Sequence, residues 1–262
     1  MTAMFDFLAF GLYPYVCLTV FLLGSLIRFD REPYTWRSGS SQLLRRRQLM
    51  WGSNLFHVGI LVIFAGHVVG LLTPIQVFDA LGISHGTKQI LAIVVGGAAG
   101  VMCLVGISLL THRRLFDRRI RATSSFSDIA ILLLLFGQLL LGLATIPLSL
   151  GHLDGHEMVR FMSWAQGILT LQSGASTFLV GAHWIFRAHL MLGMTIFLVF
   201  PFTRLVHVWS APIWYLGRRG YQVVRSANAD AARRRLPQHD VRTPTKVPHP
   251  ARPILSANQP AE

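Results

Sequence analysis

Five stretches of this chain are apolar over lengths that can cross a bilayer, and nothing else in it constrains the fold as tightly. They run over residues 5–27, 48–72, 90–111, 128–148 and 184–207, against the roughly 20 residues a spanning helix needs. Hydrocarbon offers backbone amides no water, so a spanning segment must satisfy them itself or close into a barrel. The stretches are continuously apolar and do not alternate, which predicts an all-α integral membrane protein with five transmembrane helices in a bundle. Composition agrees: 13% of the residues are charged, about half the fraction in an ordinary soluble domain.

The few charges are unevenly placed. Arg28, Arg31, Arg37, Arg45, Arg46 and Arg47 follow the first span, and Arg113, Arg114, Arg118, Arg119 and Arg121 follow the third. With those from Arg204 onward, 21 of the 24 Lys and Arg fall on one side, leaving Lys88, Arg160 and Arg187 on the other. The positive-inside rule makes the rich side cytoplasmic, so the N-terminus is expected outside and the C-terminus inside. The net charge of +13 is therefore a topology signal, with anionic lipid headgroups as its natural contact. No nucleic-acid motif accompanies it, so nucleic acid is excluded as a partner.

The start "MTAMFDFLAF" lacks a basic n-region and reads as an uncleaved first helix. Cys17 and Cys103 lie within spans and read as structural thiols. There is no C-x-x-C-H, so covalent c-type haem attachment is excluded. Residues 1–217 form the expected membrane domain, and residues 218–262 a basic, proline-containing tail too poor in apolar residues to fold alone. In the outer loop 149–183, Met158, Phe161, Met162, Ala165, Ile168 and Leu169 recur at helical spacing. They predict a helix lying on the outer membrane surface.

Eleven histidines divide sharply. His85, His112, His152, His156, His183, His239 and His249 sit in loops, at helix ends or in the tail, where water satisfies them. His57 and His67 in the second span, and His189 and His207 in the fifth, lie where imidazole is costly unless something binds it. A lone membrane histidine is often bonded to a neighbouring helix, but two on each of two helices is a stronger pattern. On a continuous helix, His189 and His207 would share a face about 27 Å apart, while His57 and His67 would lie about 15 Å apart. The two spans run antiparallel, which sets His57 level with His207 and His67 level with His189. The unequal spacings leave a mismatch that helix tilt and side-chain reach must absorb.

Zinc and copper prefer three or four protein donors, often thiolate or carboxylate. Haem iron needs only two imidazoles, because the porphyrin supplies the other four donors. Gly59, Ala65, Gly66 and Gly70 on the second span and Gly193 on the fifth offer flat room for a porphyrin. Arg37, Arg113, Arg114 and Arg204 are all candidates for its propionates. Six-coordinate iron has no open position for substrate and transfers electrons. Two such haems form a wire that needs a lipid-soluble donor, a quinol, and an acceptor docked on the arginine-rich face.

The segments "YPYVCLTVFLLGSLIRFDREPYTWRSGSSQ", "SNLFHVGILVIFAGHVVGLLTP", "GGAAGVMCLVG", "RRLFDRRIRAT" and "IFRAHLMLGMTIFLVFPFTRLVHVWSAP" resemble the gamma subunit of membrane-bound respiratory nitrate reductase. The likeness covers residues 10–217 and all five spans. It implies a di-haem cytochrome b of the bacterial inner membrane that anchors an iron–sulfur beta subunit and a molybdenum alpha subunit. The family's ligands fall on His57 and His207 for the inner haem and on His67 and His189 for the outer. Lys88 matches a lysine linked to quinol binding, although a lysine there also reads as one snorkelling to the interface. The long tail and the extra histidine His183 depart from the family pattern. The resemblance implies quinol oxidation near the outer face, with nitrate reduced on another subunit. The alternative is a cytochrome b subunit of another quinol-linked oxidoreductase, and a cofactor-free scaffold or proton channel is the rival of a different class.

Overall fold

A computed structural model describes residues 2–32 and 43–210. Among them every regular element is helical: α1 Thr2–Phe7, α2 Tyr13–Arg31, α3 Arg46–Leu72, α4 Ile75–Ala80, α5 His85–Phe116, α6 Arg118–Ala122, α7 Phe126–Leu150, α8 His156–Leu169 and α9 Trp184–Val199. A π turn, Leu8–Leu12, joins α1 to α2 into one long rod. Five helical rods are long and apolar enough to cross a membrane, at Ala3–Arg31, Arg46–Leu72, His85–Phe116, Phe126–Leu150 and Trp184–Phe202. The protein is a multi-pass membrane protein of the expected all-α class. Arg37 and the tail 218–262 lie outside the described residues.

Local chemistry places the helix ends. Ser84 accepts the Thr87 amide at the start of α5, and Ser125 and Asp128 form a reciprocal capping box at the start of α7. Asp117 ends α5 and caps α6, accepting the amides of Ile120 at 3.2 Å and Arg119 at 3.0 Å. Those backbone donors, the Ile120 amide foremost, and the nearby Arg45 guanidinium hold its carboxyl below the usual aspartate range. His183, the extra histidine, accepts the Ile185 amide and N-caps α9.

The rods pack in the order α3, α5, α7, α9, α2, so the first span lies beside the last. The α3–α5 contact is the tightest. A Cβ on Gly59 would lie 2.7 Å from Cys103 Cβ and 2.8 Å from the Ala99 carbonyl oxygen. Gly106 similarly abuts the backbone of Phe56 and Gly52. Small residues are what let two membrane helices approach to backbone contact. The expectation that Gly59 makes room for a porphyrin is therefore corrected, because it faces α5. The outer flanks carry Leu61, Leu91 and Val94, each more than half exposed, which is the surface a lipid solvent requires.

Two further expectations change. First, α9 ends at Val199, and tight 3₁₀ turns at Phe200–Phe202 and Arg204–Ser210 follow it. Pro201 has no amide proton to continue the ladder, and Thr203 is extended at φ −120° and ψ 177°. His207 is thus not five helical turns below His189. The chain leaves the helix axis, and the mismatch in spacing that a straight helix implied disappears with it. The break is seated on α2. Pro201 packs where a Cβ on Gly24 would be 2.9 Å from its ring. One turn further along, Arg28 donates to the carbonyls of Pro201 at 2.6 Å and Thr203 at 3.1 Å.

Second, the apolar stripe of α8 turns into the protein and not onto lipid. Met162, Trp164 and Ile168 are buried, and Trp164, Ala165 and Ile168 pack with Ala9, Phe10, Ala175 and Leu179. Trp164 Nε1 donates to the Phe10 carbonyl at 2.9 Å, within the π turn, where the regular ladder is relaxed. Gln166 donates to the carbonyls of Leu71 and Thr73 at the end of α3, each at 3.0 Å. The helix caps the end of the bundle at which α3 finishes.

Candidate cofactor site between the second and fifth spans

The histidine-bearing segments face each other without close packing between α3 and α9. Across that space the four rings meet in two pairs. His57 and His207 have ring centroids 6.3 Å apart at 68°, and His67 and His189 have centroids 6.2 Å apart at 41°. Two imidazoles sharing one metal at about 2.0 Å from each nitrogen place their centroids about 6 Å apart. The spacing therefore suits one metal between each pair. This is also the pairing that antiparallel spans require.

Three rings are prepared as ligands. His57 Nδ1 lies 2.7 Å from the Ser53 carbonyl, His67 Nδ1 2.8 Å from that of Ile63, and His207 Nδ1 2.5 Å from that of Arg204. A carbonyl can only accept, so the proton sits on Nδ1 and the lone pair is left on Nε2. Such outer hydrogen bonds fix the tautomer and aim of a metal-binding histidine. His189 differs. Its Nε2 lies 3.4 Å from Gln138 Nε2, and its buried Nδ1 has no partner among the described residues.

The donor set also fits a group that brings its own equatorial ligands. Among the described residues no three His, Cys, Asp or Glu gather closely enough to hold a bare metal ion. Room for a flat macrocycle exists on α3, where a Cβ on Gly66 or Gly70 would meet nothing within 4 Å. On α7, a Cβ on Gly142 would come within 3.0 Å of the His189 ring. Gly193 does not serve as expected, because a Cβ there would be 3.1 Å from Gln138 Nε2. The ring spacing and donor chemistry of both pairs fit b-type haem, and the open glycines Gly66 and Gly70 flank His67.

The basic candidates for propionate partners separate. Arg113 is buried and donates to the Leu44 carbonyl at 2.7 Å. Arg114 and Arg204 converge on Asp128, at 3.5 Å and 3.6 Å. Near the start of α5, Lys88 is 7% exposed, so it does not snorkel into water. Its Nζ lies 4.1 Å over the Phe78 ring and 3.8 Å from Met162 Sδ, beneath α4 and α8. Among the described residues a ring and a thioether are the groups in contact with this ammonium, with the Asp79 carboxylate close enough to act on it through space. Arg187, two residues before His189, pairs with the buried Asp6 and lies 4.8 Å from the Phe10 ring.

Sequence reasoning passed over Gln138. The signal was present, since Gln138 is the one side chain able to hydrogen-bond between residues 129 and 144 of α7. A single amide within a run of leucines is as much in need of explanation as a histidine.

Comparison with known proteins bears on the same residues. A family model described as nitrate reductase gamma subunit matches residues 6–227. Over 217 residues the chain is 52% identical to respiratory nitrate reductase 1 gamma chain of Escherichia coli K12, covering 83% of this chain and 96% of that one. Identity to the respiratory nitrate reductase 2 gamma chain of the same organism is 53%, covering 83% and 95%. The nitrate reductase gamma chain of Bacillus subtilis 168 is 40% identical over 215 residues, covering 82% and 96%. The match takes in all five spans and all four paired histidines, and the chain belongs to the gamma subunit family of respiratory nitrate reductase.

Proposed function

We propose that this subunit is the di-haem cytochrome b of a quinol:nitrate oxidoreductase in the bacterial inner membrane. The observation that carries the reading is the pair of histidine couples at one-metal spacing, 6.3 Å and 6.2 Å between centroids. His67 and His189 hold the outer group, and His57 and His207 the inner one. Haem held there by two imidazoles would supply one-electron transfer between quinol near the outer face and an iron–sulfur beta subunit inside. Nitrate is reduced to nitrite on a molybdenum alpha subunit.

This chain's own residues bind and orient. The carbonyls of Ser53, Ile63 and Arg204 hold three imidazoles by Nδ1–H with Nε2 turned outward from that bond. Lys88 Nζ donates to a quinol oxygen at the outer end of α5, and quinol releases its protons on that side. Helix α8, packed across the bundle end, limits water at the outer couple. The N-terminus lies outside and the arginine-rich face inside, where the partner subunits dock. Residues 1–217 are the membrane domain, and 218–262 form a cytoplasmic tail.

The test is a redox titration of the visible spectrum in the purified complex. Two b-type components are expected. His57→Ala and His207→Ala each remove one of them, and His67→Ala and His189→Ala each remove the other. If His57→Ala and His189→Ala abolish the same component, the couples are wrongly assigned. A wild-type complex without b-type bands sinks the reading entirely.

A further inference from the structure

We infer that Gln138 is the positioning residue for His189, accepting the proton of the ring nitrogen that does not bind metal and so tuning the outer haem. The inference rests on the di-haem reading above and assigns a role to a residue outside the histidine set.

Three of the four histidines bond Nδ1 to a carbonyl three or four residues earlier on their own segment. His189 alone among them has no such bond, and its Nδ1 is buried without a partner among the described residues. Gln138 has the matching defect, with its Oε1 buried and also without a partner. The two side chains touch, 3.4 Å apart at Gln138 Nε2 and His189 Nε2. Turning the ring to aim Nε2 at a metal, and the amide about its last torsion, would pair the orphaned Nδ1–H with the orphaned Oε1 on the adjoining side chain.

The helices are shaped for this contact. On α7, Gly142 lies one turn after Gln138; on α9, Gly193 lies one turn after His189. A Cβ on Gly142 would come within 3.0 Å of the His189 ring, and one on Gly193 within 3.1 Å of the Gln138 amide. Each glycine clears the space that the other helix's polar side chain fills. Gly142 and Gly193 thus serve the partnership of Gln138 with His189.

An acceptor on Nδ1–H makes the ring a more basic ligand, which favours ferric over ferrous iron. The two couples then differ in kind, because a side-chain amide replaces a main-chain carbonyl at one of four positions. The experiment is a redox titration of the holo complex carrying Gln138→Leu or Gln138→Glu, with low-spin electron paramagnetic resonance of each component. The expected result is an outer-component midpoint raised by leucine, which cannot accept, and lowered by glutamate, a stronger acceptor. The inner component keeps its midpoint and signal in both. An unmoved outer midpoint, a shift of the same sign in both variants, or loss of the outer haem from both would overturn the assignment. Two normal components in the wild type beside any of those results would refute Gln138 alone and leave the di-haem reading standing.

Discussion

Replacing Gly106 with alanine sets a methyl group against the backbone of α3. It would lie 2.8 Å from Phe56 Cα and 2.9 Å from the Gly52 carbonyl oxygen, and closer still to the Phe56 nitrogen. Carbon atoms rest at about 3.5–4.0 Å, so α3 and α5 must part by roughly 0.7–1.2 Å. Overpacking of this kind costs about 1–3 kcal/mol. Neighbours that are main chain cannot swing aside as a rotamer can, which puts the cost near the upper end. Alanine's helix propensity returns up to about 1 kcal/mol. The net is about 2 kcal/mol, or roughly a 30-fold rise in the open population of this interface. Cys103 reports it directly, since its thiol is 0% exposed and sits 3.7 Å from the Phe56 carbonyl. Pulsed alkylation of the assembled complex, read by peptide mass, should label Cys103 roughly 30-fold faster in Gly106→Ala. Cys17, equally buried on α2, should keep its wild-type rate. Gly96→Ala, where the new methyl meets nothing within 4 Å, should change neither. A wild-type labelling rate at Cys103 in Gly106→Ala would refute the claim that backbone contact sets the α3–α5 distance.

Lys88→Ala should slow quinol-driven turnover by about 10–100-fold, the range for losing a hydrogen bond from a charged donor, while both b-type components remain. Unchanged turnover removes Lys88 from the quinol site. Reporter domains fused near residues 80 and 155 should read outside, and one near residue 120 inside; a cytoplasmic signal at 155 breaks the five-span topology. Asp117 supplies a pH dependence whose sign follows from its lowered carboxyl range. Its contribution is present above the ordinary value of 3.8 and is lost as pH falls through the lower folded value. Proteolysis of the α5–α6 junction should therefore quicken only in strong acid, and Asp117→Asn should abolish that acid step.

The spans and the two histidine couples were legible because both are one-dimensional signals: runs of apolar residues, and imidazoles where hydrocarbon penalises them. What a glycine is for was not legible. Gly59, Gly66, Gly142 and Gly193 read alike in the chain, yet one meets a helix backbone, one open space, one a histidine and one an amide. Only the neighbour distinguishes them, and the neighbour lies on another helix. The break after Val199 was marked by Pro201, but the surrounding run "FLVFPFTRLVHVW" stays apolar enough to mask it. The docking of α8 was hidden for a related reason, since an amphipathic face suits lipid and protein equally well. Its direction is set by Trp164 and Gln166 reaching carbonyls of the first and second spans.

The turn that carries His207 is held by Arg28, through the carbonyls of Pro201 and Thr203. A ribosome makes the first span long before it makes those carbonyls, and three more spans must enter the bilayer in between. The His57–His207 couple is therefore the last part of the bundle to take shape during synthesis. Its completion coincides with the moment when the two extremities of the membrane domain are brought side by side. Biogenesis thereby acquires a natural checkpoint, because a chain interrupted within its final span still possesses His57 and has nothing opposite it.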